Sequence, residues 1–139
     1  MKKKDNQRRW RIELTEEQLR VAIEAIEDWH RFISGQCEMD YATSYIDNSN
    51  NMHKVRDILR NQVKPLMFPE LDRAASYGWC GGQPNKHLSR VAAMSYMLYR
   101  EVLHKLTLAS DAPYWNVYRG ETLTCEEQGP MIKVEMIKK

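Results

Sequence analysis

No stretch of this chain approaches the ~18 consecutive apolar residues of a membrane helix, and the basic start MKKKDNQRRW is not followed by the apolar core of a signal peptide. A protein kept in the cytoplasm, without a membrane partner, is the expectation. Cysteine is scarce: Cys37, Cys80 and Cys125 are widely spaced with no CxxC pair, so neither a zinc ribbon nor a disulfide framework is indicated, and three reduced thiols are expected. The sequence also lacks GxxxxGK[ST], and no GxGxxG follows a strand, which removes the P-loop and the dinucleotide fingerprint. HExxH is missing and the histidines have no finger-like spacing, so no metal or cofactor is expected. Glu16, Glu17, Glu24, Glu27 and Asp28 fall along one helix as a wet face would, and Glu126-Glu127 sit in a turn. No acid and base pair stands out, and a non-enzymatic role follows.

What is present suits one domain. At 139 residues, 42% hydrophobic and 29% charged, the chain is long enough to bury a single core. Its formal charge of +2 conceals an asymmetry. Lys2, Lys3, Lys4, Arg8 and Arg9 against Asp5 put the first nine residues at +4 and leave the rest at −2. Residues 1–9 therefore read as a basic flexible arm, whose one contact with nucleic acid is weak and through phosphate, and residues 10–139 as the globular domain.

Residues 10–14, WRIEL, alternate apolar and charged side chains and predict a strand. Thr15 then reads as an N-cap, with Gln18 three residues on to close a capping box. The helix it opens runs over 16–34, burying Leu19, Ile23, Ile26, Trp29 and Ile33 while Arg20, Glu24, Glu27 and Arg31 take the solvent side. Gly35 ends it in a left-handed cap. A short helix over 38–46 and a loop at 47–51 precede a second amphipathic helix carrying Met52, Val55, Ile58, Leu59 and Val63, ended by Pro65. Pro69 opens a short helix through residue 75. A late helix starts at Pro84 or Asn85 and carries a wide apolar band from Leu88 to Leu106. Beyond residue 113 three extended runs, 115–119, 122–125 and 131–137, predict strands. The expected fold is α+β: a bundle of three to four main helices and a small antiparallel sheet made of the N-terminal strand and a C-terminal hairpin.

The stretch 76–107 holds the candidate site. Gly78, Gly81 and Gly82 precede the start of the late helix, and Lys86 and His87 lie in its first turn, an arrangement suited to an anion such as phosphate. The same glycines also serve a sharp turn between packed helices. Further along, Ser89, Ala93, Tyr96, Arg100 and His104 share one line at spacings of three and four. Arg100 with Tyr96 suits a phosphate and a stacked base, Trp79 offers a second aromatic face, and Tyr118 with Arg119 repeats the pairing. The predicted ligand-binding set is Lys86, Arg100, Tyr96, Trp79, Gly81, Gly82, His87 and Arg119. A Cys80 nucleophile served by His87 or His104 is the catalytic alternative.

LTEEQLRVAIEAIEDWHRFISGQ at 14–36 and SYMLYREVLHKL at 95–106, about a quarter of the chain, resemble a recurrent pattern in small uncharacterised bacteriophage and prophage proteins. The pattern is a strand, a capped helix ending in Gly-Gln, and a late helix with Tyr-Arg-x-x-x-His. The resemblance implies a phage accessory protein of the bacterial cytoplasm. By analogy with phage counter-defence sponges it implies a homo-oligomer that sequesters a nucleotide-derived signal, such as a cyclic nucleotide or an ADP-ribose derivative. A protein-binding adaptor that blocks a host factor, and an enzyme dependent on Cys80, are the competing expectations.

Overall fold

A computed structural model describes residues 7–46, 51–110 and 117–138. All of the predicted loop at 47–51 except Asn51, most of the predicted basic arm (1–6 of 1–9), and residues 111–116, with the start of the strand predicted at 115–119, lie outside the described residues. Five α-helical segments follow one another: α1 (Glu16–Ile33), α2 (Asp40–Ile46), α3 (Met52–Ile58), α4 (Lys64–Met67) and α5 (Lys86–Leu108), with a π-helical turn (Leu59–Val63) between α3 and α4.

The start of α1 follows from two residues. Thr15 Oγ1 accepts from the Gln18 N–H at 3.1 Å, and the Gln18 carboxamide accepts from the Thr15 N–H at 3.0 Å, so two otherwise orphaned donors are satisfied. At the other end Gly35 takes φ +90°, and a Cβ there would run into the Leu71 side chain. Only glycine fits both demands. Helix α5 begins as expected, with Asn85 accepting from the Leu88 N–H at 3.0 Å.

Helices α1 and α5 form the core. Ile23 from α1 packs with Tyr99, Val102, Leu103 and Leu106 of α5, and Leu19, Ile26, Tyr96, Tyr118, Ile132 and Val134 close around them. Ala92 and Ala93 are fully buried and Ser89 and Ser95 nearly so; such small side chains let neighbouring backbone come close to α5. The α1 stripe is rotated from the expected one. Trp29 is half exposed, whereas Glu27, Asp28 and His30 are buried, because the α1 surface that meets the rest of the fold includes polar contacts that hydropathy does not register.

The second amphipathic helix continues past Pro65. The π-helical turn, in which the Lys64 N–H reaches the Leu59 carbonyl, widens the ladder just where proline has no N–H to give and would crowd the previous turn. The helix expected from Pro69 to residue 75 is absent. Residues 68–77 form irregular turns held by the buried Lys64, whose ammonium donates to the Arg73 carbonyl at 2.8 Å and to the Ala75 carbonyl.

The α+β expectation is corrected: among the described residues the fold is helical and holds no strand or sheet. Residues 10–14 have no regular secondary structure, with Trp10 and Ile12 in solvent. Residues 117–128 lie along α5 and are held mainly by its side chains, and residues 131–138 have no regular secondary structure and no neighbouring strand. Alternation reports which side of an extended segment is apolar. It does not report whether the backbone finds a partner, and that partner is what makes a strand.

Candidate functional site

The polar line predicted on α5 exists, but the chain itself occupies it. The Arg100 guanidinium donates to the Tyr118 carbonyl at 3.4 Å and the Gly120 carbonyl at 3.0 Å, and it lies over the Tyr118 ring, 5.2 Å from its centroid. His104 Nδ1 is 2.9 Å from the same Tyr118 carbonyl. One end of α5 thus fixes residues 118–120. At the other end Ser89 Oγ accepts from the Gly82 N–H at 2.8 Å and donates to the Glu127 carboxylate.

The glycine turn takes its shape from this joint. Gly78 and Gly81 form an antiparallel bridge. Gly81 and Gly82 take φ +90° and +94°, and a Cβ on Gly81 would sit 2.5 Å from both the carbonyl oxygen and Oγ of Ser89. Glycine is needed there for close approach of protein to protein, which accounts for the motif without a ligand. Cys80 and Cys125 are joined as a disulfide across the same joint, a correction to the three reduced thiols expected. The spacing of 45 residues gives no local pattern from which sequence reading would find the pair. While this bond is formed Cys80 has no free thiolate to act as a nucleophile. Cys37 is fully buried, and burial pushes its thiol pKa up despite nearby Lys64, so it is no nucleophile either.

The predicted ligand residues divide into separate groups. Lys86 and His87 are exposed at the start of α5, where the first turn has no acidic residue. Arg100 lies fourteen residues further on, about 21 Å along the helix axis, so Lys86 and Arg100 do not grip one phosphate. Trp79 bridges part of this distance: its indole lies on Tyr96 with ring centroids 4.9 Å apart, and Tyr96 in turn meets Tyr99 at 5.6 Å and His30 at 5.8 Å. Arg119 is exposed.

Sequence reading missed the buried polar set on α1. Glu27, 3% exposed, pairs with Arg31 at 3.2 Å, and its charge acts on the Tyr41 phenol. Burial raises the pKa of Tyr41, Tyr99 and Tyr118, and the Glu27 charge raises each further, so these phenols stay protonated. From Arg31 the pairing continues to Glu38 at 3.9 Å and from Glu38 to Arg60. Asp28 accepts from the Tyr41 and Ala42 N–H groups at 3.1 and 2.7 Å, capping α2 from a neighbouring helix. The only hint in the sequence is that these carboxylates sit on the flank of the apolar stripe.

His30 is the buried counterpart on the α5 side. Ser95 Oγ donates to the Ala92 carbonyl at 2.9 Å, so at 3.0 Å it accepts from His30 Nδ1–H, leaving Nε2 to accept from the Ser34 hydroxyl at 3.4 Å. Burial lowers the imidazole pKa to about 4; the Ala92 carbonyl opposes the shift and Arg31 adds to it. The ring is neutral in the folded protein.

Beside Glu27 lies a cleft of about 50 Å³ lined by Arg20, Ile23, Glu24, Glu27, Tyr41 and Leu103. It accommodates water, not a nucleotide, which needs a pocket of ~300 Å³ or more. Among the described residues no three His, Cys, Asp or Glu side chains are grouped to hold a metal ion, and no helix is long and apolar enough to cross a membrane. The chain matches no family model, no curated protein and no solved structure.

Proposed function

We propose that this chain is a non-enzymatic bacteriophage accessory protein of the bacterial cytoplasm that binds and sequesters a nucleotide-derived defence signal of the host, a cyclic nucleotide or an ADP-ribose derivative. One observation carries the reading: a partly exposed indole, Trp79, packed at a tilt against Tyr96 beside the glycine turn, next to a helix start that offers Lys86, His87 and Arg90 to solvent without an acidic neighbour in its first turn. The aromatic face suits a base and the cations suit phosphate. Arg100 is held by Tyr118 and Gly120, so it supports this surface and does not touch the ligand. The cleft beside Glu27 is too small, and the ligand accordingly lies on the open Trp79 face, where a second copy supplies the other wall.

The purified chain is incubated with a panel of cyclic dinucleotides and ADP-ribose derivatives, filtered, then heated to release what it holds. Depletion of one compound and its recovery intact, both lost in Trp79→Ala and Lys86→Glu, are expected. No depletion across the panel refutes the reading, and recovery of an altered compound makes the protein an enzyme.

A protein-binding adaptor is the second reading, favoured by Tyr45, Ile46, Leu66 and Met67, which stand exposed on α2 and α4. Recovery of one host protein at a fixed stoichiometry, abolished by Ile46→Asp or Leu66→Asp and without small-molecule binding, distinguishes it.

A further inference from the structure

Two segments without regular secondary structure carry apolar side chains that the fold leaves uncovered. In residues 10–14, Trp10 is 83%, Ile12 76% and Leu14 47% exposed, and near the C-terminus Met136 is 75% exposed. No backbone hydrogen bond among the described residues joins 10–14 to 131–138. Yet the two segments match in antiparallel register. Trp10 falls opposite Met136, Ile12 opposite Val134 and Leu14 opposite Ile132, all on one side; Arg11 falls opposite Glu135 and Glu13 opposite Lys133 on the other. Every apolar residue meets an apolar residue, and each charge meets its opposite.

The side on which the apolar pairs would lie is already fixed. Ile132 and Val134 pack against the α1–α5 core, so this side of the segment faces the helices, with Met136 beyond their cover, and 133 and 135 turn away. A segment paired there lays its own Ile12 and Leu14 over the same helical layer and sets Trp10 against Met136. We propose that residues 10–14 of one copy dock along residues 132–136 of a second copy, and that the two copies exchange these arms reciprocally around a two-fold axis. Each copy carries both halves of the match, so exchange leaves no half unfilled. Each segment is also complementary to itself in sequence. Pairing of arm with arm has no helical layer behind it, and pairing of C-terminal segment with C-terminal segment leaves Trp10 and Ile12 in water. The mixed register covers both segments and gives partners to both rows of backbone N–H and C=O groups.

Sedimentation of the full chain at tens of micromolar is expected to show a dimer or a multiple of it. Ile12→Asp is expected to give a monomer with an unchanged helical circular dichroism signal, because the arm lies outside the core. Arg11→Glu is expected to raise the dimer dissociation constant roughly tenfold or more, since each dimer then holds two like-charge pairs, and Glu135→Arg in the same chain is expected to restore it. Mixing the single variants Arg11→Cys and Glu135→Cys under mild oxidation is expected to give a covalent pair of two chains, faster than either variant alone and above the background of the unsubstituted protein. A monomeric wild type, a dimer indifferent to Ile12→Asp, or faster cross-linking of Arg11→Cys to itself overturns the proposal. So does a doubly substituted chain that cross-links only within itself.

Discussion

Acidification tests the buried imidazole most directly. His30 is 4% exposed and held neutral, with a folded pKa of about 4 against 6.5 when unfolded. Its folded value is depressed, so the unfolded chain takes up the proton first and stability declines as pH falls from about 6.5 toward 4, levelling off below that. For these two values the loss is about 0.8 kcal/mol at pH 6 and about 2 kcal/mol at pH 5, approaching 3 kcal/mol at the lower limit. The measurement is urea unfolding of wild type and His30→Gln at pH 7, 6 and 5. His53, His87 and His104 are common to both proteins, as are all the carboxylates, so their contributions cancel in the difference. The variant, whatever its stability at pH 7, is expected to lose about 2 kcal/mol less than wild type between pH 7 and 5. Parallel losses refute the assignment of a desolvated neutral ring. A proton NMR titration of wild type gives the same answer independently, since a His30 ring signal that titrates near 6.5 would do the same.

Three further outcomes follow from named contacts. Gly81→Ala is expected to destabilise by at least about 2 kcal/mol, from the left-handed backbone and the collision with Ser89, whereas Gly78→Ala, whose added carbon meets nothing within 4 Å, changes the unfolding midpoint little; equal effects would remove the close-approach explanation of the turn. Asp28→Ala strips the cap of α2 and is expected to lower stability by about 2 kcal/mol, with faster hydrogen exchange at the Tyr41 and Ala42 amides as the local readout. Lys64→Met leaves the carbonyls of Arg73 and Ala75 without their donor and is expected to lower stability by about 2 kcal/mol and to expose residues 68–77 to limited proteolysis; an unchanged cleavage pattern would show that the loop stands without the ammonium.

The sequence by itself determined both ends of α1 and the start of α5. Thr15 with Gln18, Gly35, and Asn85 act through neighbours three or four residues away, and such signals survive in any tertiary setting. It also determined that α5 is central, since a band that wide has to be covered on several sides. The tertiary structure alone decided what covers it. Glu27 reads as a wet-face residue, yet it is buried against Arg31 one turn along α1, and His30 is buried between Ser34 on its own helix and Ser95 brought up by α5. Arg100 and Tyr96 were legible as a polar edge, but its occupant was not: residues 118–120 and Glu127 return to it from 18 to 38 positions away, a separation no local pattern encodes. The alternation at 131–137 matches the inward packing of Ile132 and Val134, at 10–14 it matches no buried side, and neither run forms a sheet among the described residues. A strand is defined by a second backbone, and a single sequence shows only the first.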